Sequence, residues 1–181
     1  APVATATTLG SLSPSRASDF KTCPQLYKFR SIDRIPDPPT ESQARGTTAH
    51  LALQRLFDLP ADERTPDRLF DLFRQAWVEV KDDEFTDLFD DVAVERRWGL
   101  ESLGILANYF GVEDPTTIEP TGRELELAEQ LGDMTIRGIL DRMDETEDGL
   151  VITDYKTGRA PPERYAIPAF FALKIYALLV R

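Results

Sequence analysis

Cysteine and histidine are almost missing from this chain, whose 181 residues hold one of each, Cys23 and His50. A single cysteine excludes an intrachain disulfide and agrees with a reducing compartment. Long apolar runs are missing too: no stretch of eighteen occurs, which excludes an uninterrupted transmembrane helix. The first ten residues, Ala1 to Gly10, carry neither a basic start nor an apolar stretch of signal-peptide strength. Residues 1–12 therefore read as a disordered lead-in to a cytoplasmic protein. No internal repeat and no low-complexity tract is present. At this length the remainder, residues 13–181, reads as one domain with a good core, since two full domains would be a stretch.

Positive charge is also scarce, with a formal net charge of −11. The deficit is local. Between Asp58 and Glu95 thirteen acidic residues face four basic ones, whereas Arg16, Lys21, Lys28 and Arg30 outnumber the lone Asp19 in the stretch 16–30. An acidic flank with a basic first helix is compatible with binding a phosphate backbone.

Ser13-Pro14 predicts a helix start, with the serine as cap and the proline at the first helical position. Phe20, Cys23 and Tyr27 fall at helical spacing and predict one apolar stripe, interrupted by a break or kink at Pro24. Pro36, Pro38 and Pro39 mark an extended linker. A second helix is expected from about Glu41 to Asp58, a third from Thr65-Pro66-Asp67, and a fourth from about Asp90 to Phe110, ending at Gly111. After Pro120 the period changes. Arg123–Leu131 alternates, Gly132-Asp133 reads as a tight turn, Met134–Asp144 follows, and Leu150–Lys156 completes an antiparallel three-stranded meander. An apolar helix is expected from about Ile167 to Val180. With no cap before Arg181, it predicts a chain that continues.

The chemistry gathers in Gly138-Ile139-Leu140-Asp141 and Asp154-Tyr155-Lys156. Residues two apart on a strand share a face, so Asp154 and Lys156 are expected to project together, with Asp141 alongside on the preceding strand. Two carboxylates and an ammonium make a poor core but suit Mg²⁺ or Mn²⁺, hard cations that need one or two carboxylates plus water and phosphate oxygens. Asp141, Asp154 and the backbone carbonyl of Tyr155 would hold the metal. Lys156 would steer the attacking water or stabilise the phosphate. His50, early in the second helix after Gly46-Thr47-Thr48-Ala49, is able to reach the same site as a neutral imidazole. A lone histidine on a helix is more often an ordinary side chain. Glu124 and Glu126 share a face of the strand before Asp141, and Glu124 is the favoured further ligand or supporting acid.

These segments resemble the RecB-like branch of the PD-(D/E)XK nuclease superfamily, which includes solitary actinobacterial RecB family exonucleases and CRISPR-associated adaptation nucleases. The matching pieces are Ser13-Pro14-Ser15-Arg16 through Phe20, Cys23-Pro24, Tyr27-Lys28-Phe29-Arg30, Gly46 through His50, Gly138 through Arg142, and Asp154 through Gly158. The resemblance implies an α/β (α+β) fold: a restriction-endonuclease-like core with a small mixed sheet flanked by helices and a helical N-terminal half. It implies His50, Asp141 and Asp154 as metal ligands and Lys156 as the catalytic lysine. Arg16, Lys28 and Arg30 are expected at DNA phosphates, and Tyr176 at DNA, with Phe170 and Phe171 in the core.

Two departures stand out. Many relatives carry a [4Fe–4S] cluster on one N-terminal and three C-terminal cysteines. Cys23 occupies the first position, so a cluster is expected only in a longer form, because four ligands are needed. Within these residues Cys23 is expected as a buried small hydrophobe. Relatives also carry Gln-x-x-x-Tyr in the last helix, where this chain has Ala172 before Tyr176. The leading expectation is a metal-dependent DNA nuclease, exonuclease-like, in repair or recombination. The alternative is a catalytically weak DNA-binding or scaffold module of a helicase–nuclease complex.

Overall fold

The computed structural model describes residues 9–160, 162 and 170–180. The fold is mixed α/β, with a helical N-terminal half, a small mixed four-stranded sheet and a C-terminal helix. Among the described residues no helix is long and apolar enough to cross a membrane. The chain divides into two compact units. One comprises Ala1–Asp37, Glu124–Leu140 and Pro161–Arg181, and the other Pro38–Arg123 and Asp141–Ala160.

In the first unit, β1 (Leu9–Leu12) precedes α1 (Pro14–Thr22), which Ser13 caps by accepting from the Arg16 amide at 3.3 Å. Leu9–Leu12 thus leave the expected lead-in and pair in parallel with β3, Leu9 opposite Met134 and Leu12 opposite Ile136. This pairing is what makes the sheet mixed rather than a pure meander. Pro24 does break the helix. Cys23 turns extended, and α2 (Pro24–Tyr27) restarts with the proline at its first position, passing into a π-helical turn at Lys28–Ile32. Cys23 is exposed there, not buried, because it stands on the joint between two helices and not on a packed face. Phe20 is exposed as well, its ring meeting Tyr27 edge-on at 5.6 Å, so the expected apolar stripe is not a core face.

The sheet strands of this unit are β2 (Gly122–Leu131) and the first half of β3 (Met134–Thr146). Their two-residue turn places Gly132 at φ 61°, in the left-handed region where glycine is unstrained. The last helix, α6, is Phe171–Leu179. The start expected at Ile167 lies outside the described residues. Phe170 is exposed, which corrects its assignment to the core: it stands at the N-cap position, just before the first turn of α6.

The second unit is built on α3 (Glu41–Leu56), α4 (Pro66–Glu84) and α5 (Val92–Ala107). Thr40 and Gln43 form a reciprocal capping box at the start of α3, and Thr65 caps α4 ahead of Pro66. Ala49, Ala52, Leu53, Leu56, Leu69, Phe73, Trp98 and Leu106 are buried together as one core. Trp77 packs against Trp98 with centroids 4.4 Å apart and planes tilted by 50°, and the Trp98 indole N–H donates to the Glu41 carbonyl at 3.1 Å. The far half of β3 pairs antiparallel with β4 (Gly149–Thr153), from Arg142 opposite Thr153 to Thr146 opposite Gly149. β4 therefore ends one residue before Asp154, and Asp154-Tyr155-Lys156 is not strand as expected.

Candidate functional site

The site is assembled in the second unit from the middle of α3, the centre of β3 and the segment leaving β4. His50 sits in the third turn of α3, the helix that Thr40 caps. Its Nε2 lies 2.9 Å from the Tyr155 carbonyl oxygen and its Nδ1 3.3 Å from Asp141 Oδ1. The Tyr155 backbone N–H donates to the other carboxylate oxygen, Asp141 Oδ2, at 2.6 Å. A histidine, a carboxylate and both polar atoms around one residue's backbone thus close a ring of contacts.

Both nitrogens of His50 face oxygen acceptors, an arrangement that favours the doubly protonated ring. Burial alone would lower its pKa, but the hydrogen bond and charge of Asp141, helped by the Tyr155 carbonyl, raise it above the usual value. The fit to a cation is chemical: the Asp141 carboxylate and the Tyr155 carbonyl are hard oxygen donors, and His50 would be the accompanying nitrogen ligand once it gives up a proton to make room for the ion. His50 and Asp141 each offer one ligand atom to such an ion.

Asp154 and Lys156 do project together, although not as neighbours on a strand. Lys156 Nζ lies 2.6 Å from Asp154 Oδ2, with the lysine side chain 67% exposed and the aspartate nearly buried. The structure thus joins His50, Asp141 and Tyr155 in one set of contacts and Asp154 with Lys156 in a second. Gly46, one turn before His50, faces Thr157 just past the lysine, whose Oγ1 would stand 4.0 Å from an added Cβ.

A layer behind these residues was missed by sequence reasoning. Arg142, 2% exposed, follows Asp141 on β3 and so projects to the opposite side of the strand. It donates from Nη1 and Nη2 to the two oxygens of Glu113 at 2.5 and 2.8 Å, and from Nε to Asp144 Oδ2 at 3.1 Å. It also donates to the Tyr155 hydroxyl at 2.8 Å, while its guanidinium lies 5.0 Å from the centre of the Phe57 ring. Burial tends to raise the Glu113 pKa, but the Arg142 hydrogen bond and charge win and hold it below the usual carboxylate range. Burial pushes the Tyr155 hydroxyl up to about 12 against the opposing charge of Arg142. The only signal for this layer was the run Asp141-Arg142-Met143-Asp144, and nothing in it pointed to Glu113.

The remaining expected residues belong to the first unit. Lys28 pairs with Asp33, and Arg30 lies 3.3 Å from Asp19 and 3.1 Å from Asp37. Arg16 donates to the Ser11 carbonyl at 3.1 Å. Two of the three expected phosphate contacts are therefore locally neutralised. Tyr176, expected at DNA, is buried at 8% exposure. Its ring fills the space over Gly138, where an added Cβ would stand 2.7 Å from the ring and 3.3 Å from Pro14. Glycine in Gly-x-x-Asp is thus required by close packing. Glu124 holds φ 46° inside β2, a left-handed backbone that is costly for a residue with a side chain.

Comparison with known proteins adds two findings. The family model of the PD-(D/E)XK nuclease superfamily matches residues 11–181. The "Gene 69 protein" of Mycobacterium phage D29 is 26% identical over 193 aligned residues, covering 93% of this chain and 68% of the phage protein.

Proposed function

Because the chain belongs to the PD-(D/E)XK nuclease superfamily, we propose that it is a metal-dependent deoxyribonuclease of the RecB-like branch, exonuclease-like and acting in cytoplasmic DNA repair or recombination. The observation that carries this is the grip of Asp141 and the Tyr155 carbonyl on the two nitrogens of His50. These three groups, with Asp154, are the ones that would hold Mg²⁺ or Mn²⁺. When bound, the ion supplies charge neutralisation at the phosphate and a more acidic water. Lys156 is exposed enough to meet a phosphate or the attacking water, and its contact with Asp154 orients the ammonium. Arg16, Lys28 and Arg30 contact the DNA backbone in this reading, the last two by exchanging carboxylate partners for phosphates.

The test is cleavage of labelled single- and double-stranded DNA with Mg²⁺ or Mn²⁺. Lys156→Ala is expected to slow cleavage roughly 100- to 1,000-fold, the scale of losing one transition-state donor. Asp141→Ala is expected to abolish it. A second reading is favoured by the Asp154–Lys156 pair at 2.6 Å, which ties up the lysine, and by Ala172 where relatives carry glutamine. It is a DNA-binding or scaffold module with little chemistry, attached to a helicase. Wild-type protein that binds DNA and cuts no faster than Lys156→Ala would decide for that reading.

A further inference from the structure

We propose that Arg142, fixed by Glu113, is a positioning residue that sets the Tyr155 peptide against His50 and Asp141. The inference rests on the nuclease reading for its purpose, though not for its geometry. Tyr155 is gripped at both ends. Its carbonyl and N–H meet His50 at 2.9 Å and Asp141 at 2.6 Å, while its hydroxyl receives Arg142 at 2.8 Å. Only two torsions separate a tyrosine ring from its backbone, so a hydroxyl held at one end and an N–H held at the other together restrict where the carbonyl can point.

Arg142 is itself over-determined. Glu113 takes two of its donors, Asp144 a third, and Thr153 Oγ1 lies 3.3 Å from Nη2. The ring centres of Phe57 and Tyr155 lie 5.0 and 5.8 Å from the guanidinium carbon. A planar fork with five donors can hold this set, and an ammonium cannot.

Stability alone does not call for this arrangement. A buried ion pair is often no better than packed apolar side chains of similar volume, because desolvation offsets the attraction. Here one buried oxygen, Asp144 Oδ1, is left without a hydrogen-bond partner, a further cost. What an apolar replacement would lose is the directional hold on the Tyr155 hydroxyl. Partners standing behind a ligand commonly act this way, orienting donor atoms they never touch.

The chain's single histidine makes the effect readable, since the ring nitrogens of His50 give the only imidazole resonances. Nitrogen-correlated spectra of metal-free protein, thermal unfolding and Mn²⁺ titration calorimetry are compared for wild type, Tyr155→Phe, Arg142→Lys and Glu113→Gln. Tyr155→Phe keeps the aromatic ring beside His50 and removes only the hydroxyl. It is expected to move the Nε2 resonance toward that of an unbonded imidazole and to weaken Mn²⁺ binding by about 10-fold. Arg142→Lys and Glu113→Gln should do the same in proportion to the hydrogen bonds lost. If Arg142→Lys fails to fold, Tyr155→Phe carries the test. Folded variants with lowered melting points but wild-type His50 resonances and Mn²⁺ affinity would mean a merely structural role, and the proposal falls. If wild type binds no Mn²⁺ yet His50 moves in the variants, the positioning holds and the nuclease reading is what fails.

Discussion

Arg30 and Arg142 both bind two acidic residues, and the comparison shows how much of an ion pair's worth is its surroundings. Arg30, 49% exposed, spans Asp19 and Asp37 at 3.3 and 3.1 Å across the joint of α1 and α2. Arg142 makes a two-point contact with Glu113 and a further bond to Asp144 while shielded from water. At the first place solvent competes for every donor, and the carboxylates are loosely held counter-charges that a phosphate can replace. At the second the same chemistry is locked, and removing one member strands the others without solvation.

The largest effect should come from stranding. Arg142→Met is expected to cost about 3–5 kcal/mol, the range for breaking a buried pair by deleting one partner. Chemical denaturation read by tryptophan fluorescence measures it, and adding Glu113→Leu in the same chain should recover part of the loss. Full additivity of the two changes would break the comparison.

Next comes packing in the first unit. Gly138→Ala must displace the Tyr176 ring or Pro14, so a loss of about 1–3 kcal/mol is expected. The partner change Tyr176→Leu should soften it.

Acid sharpens the contrast from another side. The pKa of Glu113 is depressed in the folded protein, so its ion pair contributes fully above the unfolded value of about 4.3. That contribution is lost as pH falls through the lower folded value. The melting-point advantage of wild type over Glu113→Gln should therefore be constant at neutral pH and shrink below about pH 4. An advantage that grew in acid would contradict the assigned pairing.

The smallest effect belongs to Arg30→Ala, expected to change stability by less than about 1 kcal/mol and to vanish in high salt. Its consequence should appear in DNA affinity, with a shallower salt dependence than wild type.

Much of this contrast was invisible in the sequence, for a physical reason. Local signals were readable where a few adjacent residues decide the outcome. Ser13-Pro14 and Thr65-Pro66 announced their helices and Gly132-Asp133 its turn, while Gly-x-x-Asp with Asp-x-Lys named the candidate site residues. The helix break at Cys23-Pro24 was readable as well, though not that Cys23 would stand exposed on it. Contacts between distant segments were not. Leu9–Leu12 is too short to declare itself a strand, and its partner lies on β3. Glu113 reaches Arg142 from a different part of the chain, and nothing in either neighbourhood names the other. The basic residues 16–30 were countable, but their pairing with Asp19, Asp33 and Asp37 depends on how α1, α2 and the π-helical turn bend.

The threading of the two units carries a consequence for biosynthesis. The helical part of the second unit is one unbroken stretch, Pro38–Arg123, whereas the first unit is stitched from three, the last containing α6. A chain emerging from the ribosome can bury the α3–α5 core early, because its contacts close short loops. β1 emerges before any of this and must stay unpaired until β3 arrives. During that interval its backbone is an open strand edge, a template that a second nascent chain could occupy first.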